Sequence, residues 1–296
     1  MKVNRRYGDS KNPFLRKGEA LVTRSARNVI RRIAHSSFPD LPPVLVNSVP
    51  KSGTHLLTQI TAGLASSDDW GTFIASTPSR KMREIPPHRL AREITNLVPG
   101  EAARGHVFWH PQLEAAMDGS GIVSYFIYRD PRDVALSEAR YLTSMNKYHR
   151  MHGLFKNLAP NEALMLSIKG WPAGIAEGVY FPDVATRYRR YTGWLAPSST
   201  LPVRYEDLRG PDLDTWIRRI VDHYVNSSGH DDSATEPMFE KAKSSIDPHR
   251  SHTYRQGKAG GWKEAFQSEH IDAFDSLAGN LLVELGYEPK AICWDE

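Results

Sequence analysis

The stretch that most constrains this chain is residues 44–57, VLVNSVPKSGTHLL. A short β-branched run ends at Pro50, which cannot continue a central strand, and Gly53 lets the backbone turn tightly. From Thr54 to about Ala65 the apolar spacing is that of a buried helix. A strand that enters a helix through a loop holding Lys51, Ser52, Gly53 and Thr54 is an anion site, because unpaired N–H groups and the positive end of the helix dipole face one spot. Lys51 adds a mobile positive charge there. The stretch therefore predicts an α/β domain with a phosphate-sized turn after its first strand.

The loop is not a Walker A sequence, Gly-x-x-x-x-Gly-Lys-Ser/Thr, because Lys51 precedes the only glycine. That order argues against an ordinary ATPase or GTPase. Pro50-Lys51-Ser52-Gly53-Thr54 resembles instead the phosphosulfate-binding loop of the sulfotransferases that use 3′-phosphoadenosine 5′-phosphosulfate (PAPS). The resemblance implies a three-layer α/β sandwich around a central, mostly parallel sheet, like that of the P-loop NTPases. It implies PAPS as donor substrate with no metal, held by Lys51, Ser52, Gly53 and Thr54, with His55 lining the phosphate site.

Length and charge bound the rest. The 296 residues suit one α/β domain with insertions, read here as residues 41–296. A single cysteine, Cys293, excludes an internal disulfide and a cysteine-rich metal site and suits a reducing cytoplasm. No apolar run approaches a membrane span, and the basic N-terminus lacks the apolar core of a signal peptide. The expected location is cytoplasmic. Residues 1–40 hold ten Lys or Arg against three Asp or Glu, whereas the remainder holds 28 against 31. The body is thus no general polyanion or nucleic-acid binder, and an anionic ligand there must be held by a few placed residues.

Residues 1–18 read as a polar, basic arm. From Glu19 to Ala34, Val22, Ala26, Val29, Ile30 and Ile33 recur at helical spacing with arginines largely elsewhere on the wheel. This basic amphipathic helix is read as docked on its own domain, with peripheral contact to an anionic membrane as the alternative. Residues 66–101 read as irregular and polar. Strands are predicted at Ala102–Trp109, Ile122–Tyr128 and Leu201–Tyr205, and helices at 211–226 and near Glu269–Leu285.

A mostly apolar run to Tyr128 suggests a strand buried on both faces. Arg129 then falls at its carboxyl end, Asp130 reads as an N-cap, Pro131 as the first helical residue, and Ser137 sits two turns on. In the sulfotransferases a strand-end Arg followed eight positions later by a helical Ser grips the donor 3′-phosphate, and Arg129 and Ser137 match that pattern. The family's catalytic base is a His on a strand some two dozen residues before that Arg. His106 matches it and has the pKa range for the task, with His110 and His55 as competitors.

Tyr205 begins a Tyr-Glu-Asp-Leu element that resembles one whose Tyr lies near the donor nucleotide. Residues 255–263, RQGKAGGWK, resemble the family's glycine-rich loop over the 3′-phosphate, which implies roles for Arg255, Gly257 and Lys258. Gln256 and Gly261 depart from that loop, and Leu56 stands where the cytosolic members place a Trp that stacks on adenine. The aromatics between Tyr141 and Trp194 read as core or as lining of an acceptor pocket. Lys147–Pro160 is a candidate lid.

Together the resemblances imply transfer of a sulfuryl group to a hydroxyl or amine of a small-molecule, sugar or lipid acceptor, with His106 and Lys51 catalytic. Two alternatives stay open: a P-loop-type small-molecule or nucleoside kinase, and a non-catalytic phosphoadenosine-binding, membrane-associated protein. The sequence is silent on oligomeric state. Calorimetry with adenosine 3′,5′-bisphosphate (PAP) and with ATP separates the first alternative. PAP should bind and ATP should not; the reverse result would favour the kinase.

Overall fold

The computed structural model describes residues 41–65, 69–197, 199–247 and 259–288, together with Val22 and Val29. The arm and helix read in residues 1–40 otherwise lie outside the described residues, as do Arg255, Gly257 and Lys258. Val22 and Val29 are both helical and exposed.

Five strands form one parallel sheet: β1 (Val44–Ser48), β2 (Phe73–Ala75), β3 (Ala102–His106), β4 (Val123–Tyr128) and β5 (Thr200–Arg204), in the order β2-β3-β1-β4-β5. The nine longer helices among the described residues are α1 (Thr54–Thr61), α2 (Pro87–Thr95), α3 (Pro111–Asp118), α4 (Pro131–Arg140), α5 (Pro160–Lys169), α6 (Val184–Thr192), α7 (Leu213–Ser228), α8 (Thr235–Ser244) and α9 (Ser268–Glu284).

Every residue of β1 is buried, so both of its faces need cover. Its side chains alternate between two cores. Val44 and Val46, with Val123, Tyr125 and Ile127 of β4, pack under α1, α7 and α8. Leu45 and Phe126 point the other way, into the core built with α2, α3, α4, α5, α6 and α9. The result is the three-layer sandwich that the loop motif implied.

Of the stretch read as irregular at 66–101, the described residues 69–101 are more regular than their polarity suggests. β2 is three residues long, too short for a periodic signal, and α2 hides two buried anchors, Leu90 and Ile94, one turn apart among charged neighbours. The predicted helix from Thr54 ends at Thr61, not Ala65. Beyond it Gly63 lies against α8, where a methyl would come within 2.3 Å of the Ala242 amide nitrogen. Lys147–Pro160 is anchored by fully buried Met151 and Phe155.

β3 is predicted to run to Trp109 but ends at His106. The buried side-chain amide of Asn47 takes over from the ladder there. Its Nδ2 donates to the Val107 carbonyl at 3.0 Å, and its Oδ1 accepts from the Val107 amide at 2.8 Å. This clamp sets the backbone directly after His106. Asn47→Ala should lower unfolding stability by about 1–3 kcal/mol, because it orphans a buried N–H. Urea titration checks this, and an unchanged midpoint would show that the clamp contributes nothing.

Candidate functional site

Four strand ends meet at one cavity of about 1150 Å³. The loop after β1 supplies Lys51, Gly53, Thr54 and His55, β3 supplies His106, the turn after β4 supplies Arg129, and the residue after β5 is Tyr205. Ser137 joins them from α4. Ligands of open parallel sheets occupy this carboxyl-end crevice, where the chain order reverses about β1.

The loop turns through two left-handed residues, Lys51 at φ 71° and Gly53 at φ 103°. Gly53 also has to be small, since a methyl there would lie 2.4 Å from Tyr205 Cδ2. It occupies the N-cap position of α1 and, as glycine, offers no side chain to cap that helix. The first amides of α1 therefore open toward the cavity with the positive end of the helix dipole. Ser52, read as a ligand from sequence, is fully buried and does not line the cavity; its amide donates to the Val49 carbonyl at 3.2 Å, and its Oγ has no partner among the described residues.

Burial lowers the Lys51 pKa to about 8; Glu138 opposes the shift and Arg129 adds to it. The ammonium sits 3.9 Å from the centroid of the Tyr141 ring. Tyr141 starts a five-residue π-helical turn, Tyr141–Met145, that continues α4, a widening often found at functional sites.

His106 Nδ1 lies 3.1 Å from the Ser48 carbonyl and 3.0 Å from Ser48 Oγ. A carbonyl only accepts, so its bond places the proton on Nδ1 and leaves the Nε2 lone pair as the basic site. Ser48 Oγ is also 2.7 Å from Thr54 Oγ1, so a short polar chain links the histidine to the loop. Burial lowers the His106 pKa to about 4 and keeps the ring neutral at pH 7. His110, a competitor by sequence, is exposed and caps α3 by accepting from the Gln112 amide at 3.2 Å.

Arg129 is held from three sides. The Tyr188 hydroxyl donates to its carbonyl at 2.6 Å and accepts from its amide at 3.1 Å. Its guanidinium lies 4.4 Å from the Tyr205 ring centroid and donates to Asp133 Oδ2 at 3.0 Å. Asp130 caps α4 as predicted, accepting from the Arg132 amide.

Asp133, read from sequence only as a first-turn acid, does more. It is 2% exposed, and it accepts from the Gly260 amide at 2.8 Å and the Trp262 amide at 2.9 Å as well as from Arg129. Arg132 stacks on Trp262, 3.8 Å from its ring centroid. On the far side, Gln59 of α1 exchanges hydrogen bonds with the backbone of Asp247, at 2.8 and 3.2 Å. The residues that flank 248–258 on either side are thus tied to helices that carry the site.

Several aromatics left open by the sequence are now sorted. Tyr141, Tyr180, Phe181, Tyr188 and Tyr191 line the cavity, Phe155 and Trp194 are core, and Tyr148 is exposed. Ser48, Asp133 and Glu138 were not legible as site residues, because nothing in their spacing marks which strand end or cation they meet.

A parallel sheet with an uncapped helix start and cations at its carboxyl ends defines the P-loop-like class of α/β phosphate-binding folds. The chain belongs to the sulfotransferase domain family, whose model matches residues 103–286. That match starts in β3, so the loop at 50–54 joins it through the fold. Among solved structures, mouse sulfotransferase SULT7A1 complexed with PAP is 16% identical, covering 83% of this chain and 86% of that one, at a TM-score of 0.53. Retinol dehydratase in complex with androsterone and inactive cofactor PAP is 15% identical, covering 86% and 85% at 0.51. Its complex with retinol and PAP is 14% identical, covering 87% and 86% at 0.52. At these identities the likeness is one of fold. No curated protein gives a significant match.

Asp133→Asn should remove acceptors from Arg129 and from the Gly260 amide. Exchange of the Gly260 and Trp262 amides should then rise roughly tenfold or more, as for a lost hydrogen bond to a charged group. Hydrogen-exchange mass spectrometry of peptides spanning 259–266 reads this, and unchanged exchange would mean that the segment is held by other contacts.

Proposed function

We propose that this chain transfers a sulfuryl group from PAPS to a hydroxyl or amine of a small-molecule acceptor. The observation that carries the reading is the convergence of the uncapped α1 start, Lys51, Arg129 and a neutral His106 on one cavity. The residues present fit such a donor: amides and Lys51 suit the phosphosulfate end, while Arg129 and Ser137 suit a second phosphate. With Leu56 in place of an indole, the base is held by aliphatic surface, and both Leu56 and Ile246 line the cavity.

PAPS supplies the sulfuryl group; a new bond from the acceptor oxygen or nitrogen to sulfur forms as the bridging bond from sulfur to phosphate oxygen breaks. His106 Nε2 takes the acceptor proton, while Nδ1–H stays on the Ser48 carbonyl and keeps the tautomer. Lys51 and the α1 amides stabilise the negative charge that develops on the departing phosphate, strongly because the ammonium is buried. Arg129, braced by Asp133 and Tyr188, aligns the donor through binding energy remote from sulfur.

The acceptor half of the cavity offers aromatic and apolar surface from Phe73, Phe108, Met82, Tyr180 and Tyr191. The retinol dehydratase complexes hold androsterone and retinol, and this lining supports a ring-bearing or otherwise apolar acceptor body here too.

Two outcomes test the reading. Lys51→Ala should lower kcat by roughly 10²–10³-fold and His106→Ala by roughly 10²–10⁴-fold in labelled-sulfate transfer, with both proteins folded. Full activity in both would end it. The kcat/KM for donor should be level between about pH 4, where His106 loses its proton, and about pH 8, where Lys51 loses its own. It should fall on both sides, and a profile still level at pH 9.5 would remove Lys51 from the charge work.

A further inference from the structure

A second, smaller concavity of about 290 Å³ adjoins the first and is lined by Arg80, Lys81, Arg83 and Arg150 with Glu177 and Val179. The two share a wall. Thr77, Pro78, Ser79, Met82 and Ile85 face the large cavity, whereas Arg80, Lys81 and Arg83, interleaved with them, face the small one. His149 and Arg150 divide in the same way. The segments are tied together, since the Arg150 amide donates to the Ser79 carbonyl at 2.8 Å. Met82, between the cations, has a left-handed φ of 51°, and its carbonyl accepts from the Tyr180 amide at 2.6 Å. The turn is therefore a built feature of the acceptor wall.

What sets the four cations apart is their convergence on one small concavity. Arg104, Arg132, Arg187, Arg189, Arg190 and Arg218 each pair with a carboxylate. Arg80, Lys81, Arg83 and Arg150 form no ion pair among the described residues, although Glu177 shares their concavity. Outside residues 1–40 acids outnumber bases, so this is a local concentration and not part of a broad positive field. Converging cations repel one another, and an oxyanion that accepts several of their hydrogen bonds relieves that repulsion. Arginine forks are suited to phosphate, sulfate and carboxylate groups.

Resting on the sulfotransferase reading, we propose that Arg80, Lys81, Arg83 and Arg150 form an anion subsite beside the acceptor cavity, which takes a phosphate, sulfate or carboxylate group carried by the acceptor itself. The acceptor class is then an amphipathic hydroxy compound: a reacting hydroxyl near His106, an apolar body along the aromatic wall, and an anionic group at the cationic turn.

The test uses the full chain saturated with PAP, which fills the donor phosphate sites, and calorimetry with 4-nitrophenyl phosphate and glucose 6-phosphate against 4-nitrophenol and glucose. The wild type should bind at least one phosphate roughly tenfold to a hundredfold more tightly than its neutral counterpart, the worth of one or two hydrogen bonds to a charged group. The exposed double variant Arg83→Glu/Arg150→Glu should lose that preference while PAP still binds. Equal binding of charged and neutral probes, or a preference that survives charge reversal, would overturn the proposal. So would a charge reversal that abolishes sedimentation with phosphatidylglycerol vesicles and leaves the probes unaffected, because the turn would then serve a lipid surface. Failure of PAP to bind either protein would sink the donor reading alone, and the charge-reversal comparison would still decide the subsite.

Discussion

Burial of β1 on both faces is the constraint from which the rest of the structure follows. A central strand with five buried side chains has to be covered twice, and parallel pairing on each edge sends the chain through helices on both sides. That arrangement brings the carboxyl ends of β1, β3, β4 and β5 to one rim. The polar residues that end β1, Asn47 and Ser48, are then buried and must be paired. Their partners are the backbone at Val107 and the ring of His106. Satisfying two buried polar side chains at the top of one strand thus also orients the candidate base.

The site depends on charges held where water is scarce. Burial lowers the pKa of both Lys51 and His106, so one is a readily neutralised cation and the other a neutral base. Arg129 is kept in place by a buried carboxylate, an aromatic face and a tyrosine hydroxyl, three contacts from different elements. Such bracing limits reorganisation when a charged donor arrives, which is how fixed groups stabilise developing charge efficiently. The cationic turn at Arg80–Arg83 stands apart from this set, as its charges are exposed and lack acid partners among the described residues.

Much of this was legible because some residues have narrow backbone or hydrogen-bonding roles. Pro50 and Gly53 marked the end of a strand and a left-handed turn, and Asp130-Pro131 marked a helix start; each is where local sterics predict. What escaped were elements whose signal is short or masked, such as β2 with three residues and α2 with two buried anchors among charges. The overlong readings of β3 and α1 have the same origin: each ends because of a distant contact, with Asn47 in one case and α8 in the other.

By itself the sequence determined the α/β fold class, the strand, turn and helix start at 44–57, and the placement of Arg129 at a strand end with Ser137 two turns into the next helix, since these follow from local dihedral limits and helical spacing. Tertiary structure alone decided which groups meet. His106 was separated from His110 by the buried carbonyl of Ser48, Ser52 was turned away from the cavity, and Asp133 was set between Arg129 and the glycine-rich segment. The physical reason is that hydrogen bonds and desolvation act between atoms brought together across 58 positions of chain for Ser48 and His106 and 127 for Asp133 and Gly260, separations over which local residue preferences carry no information.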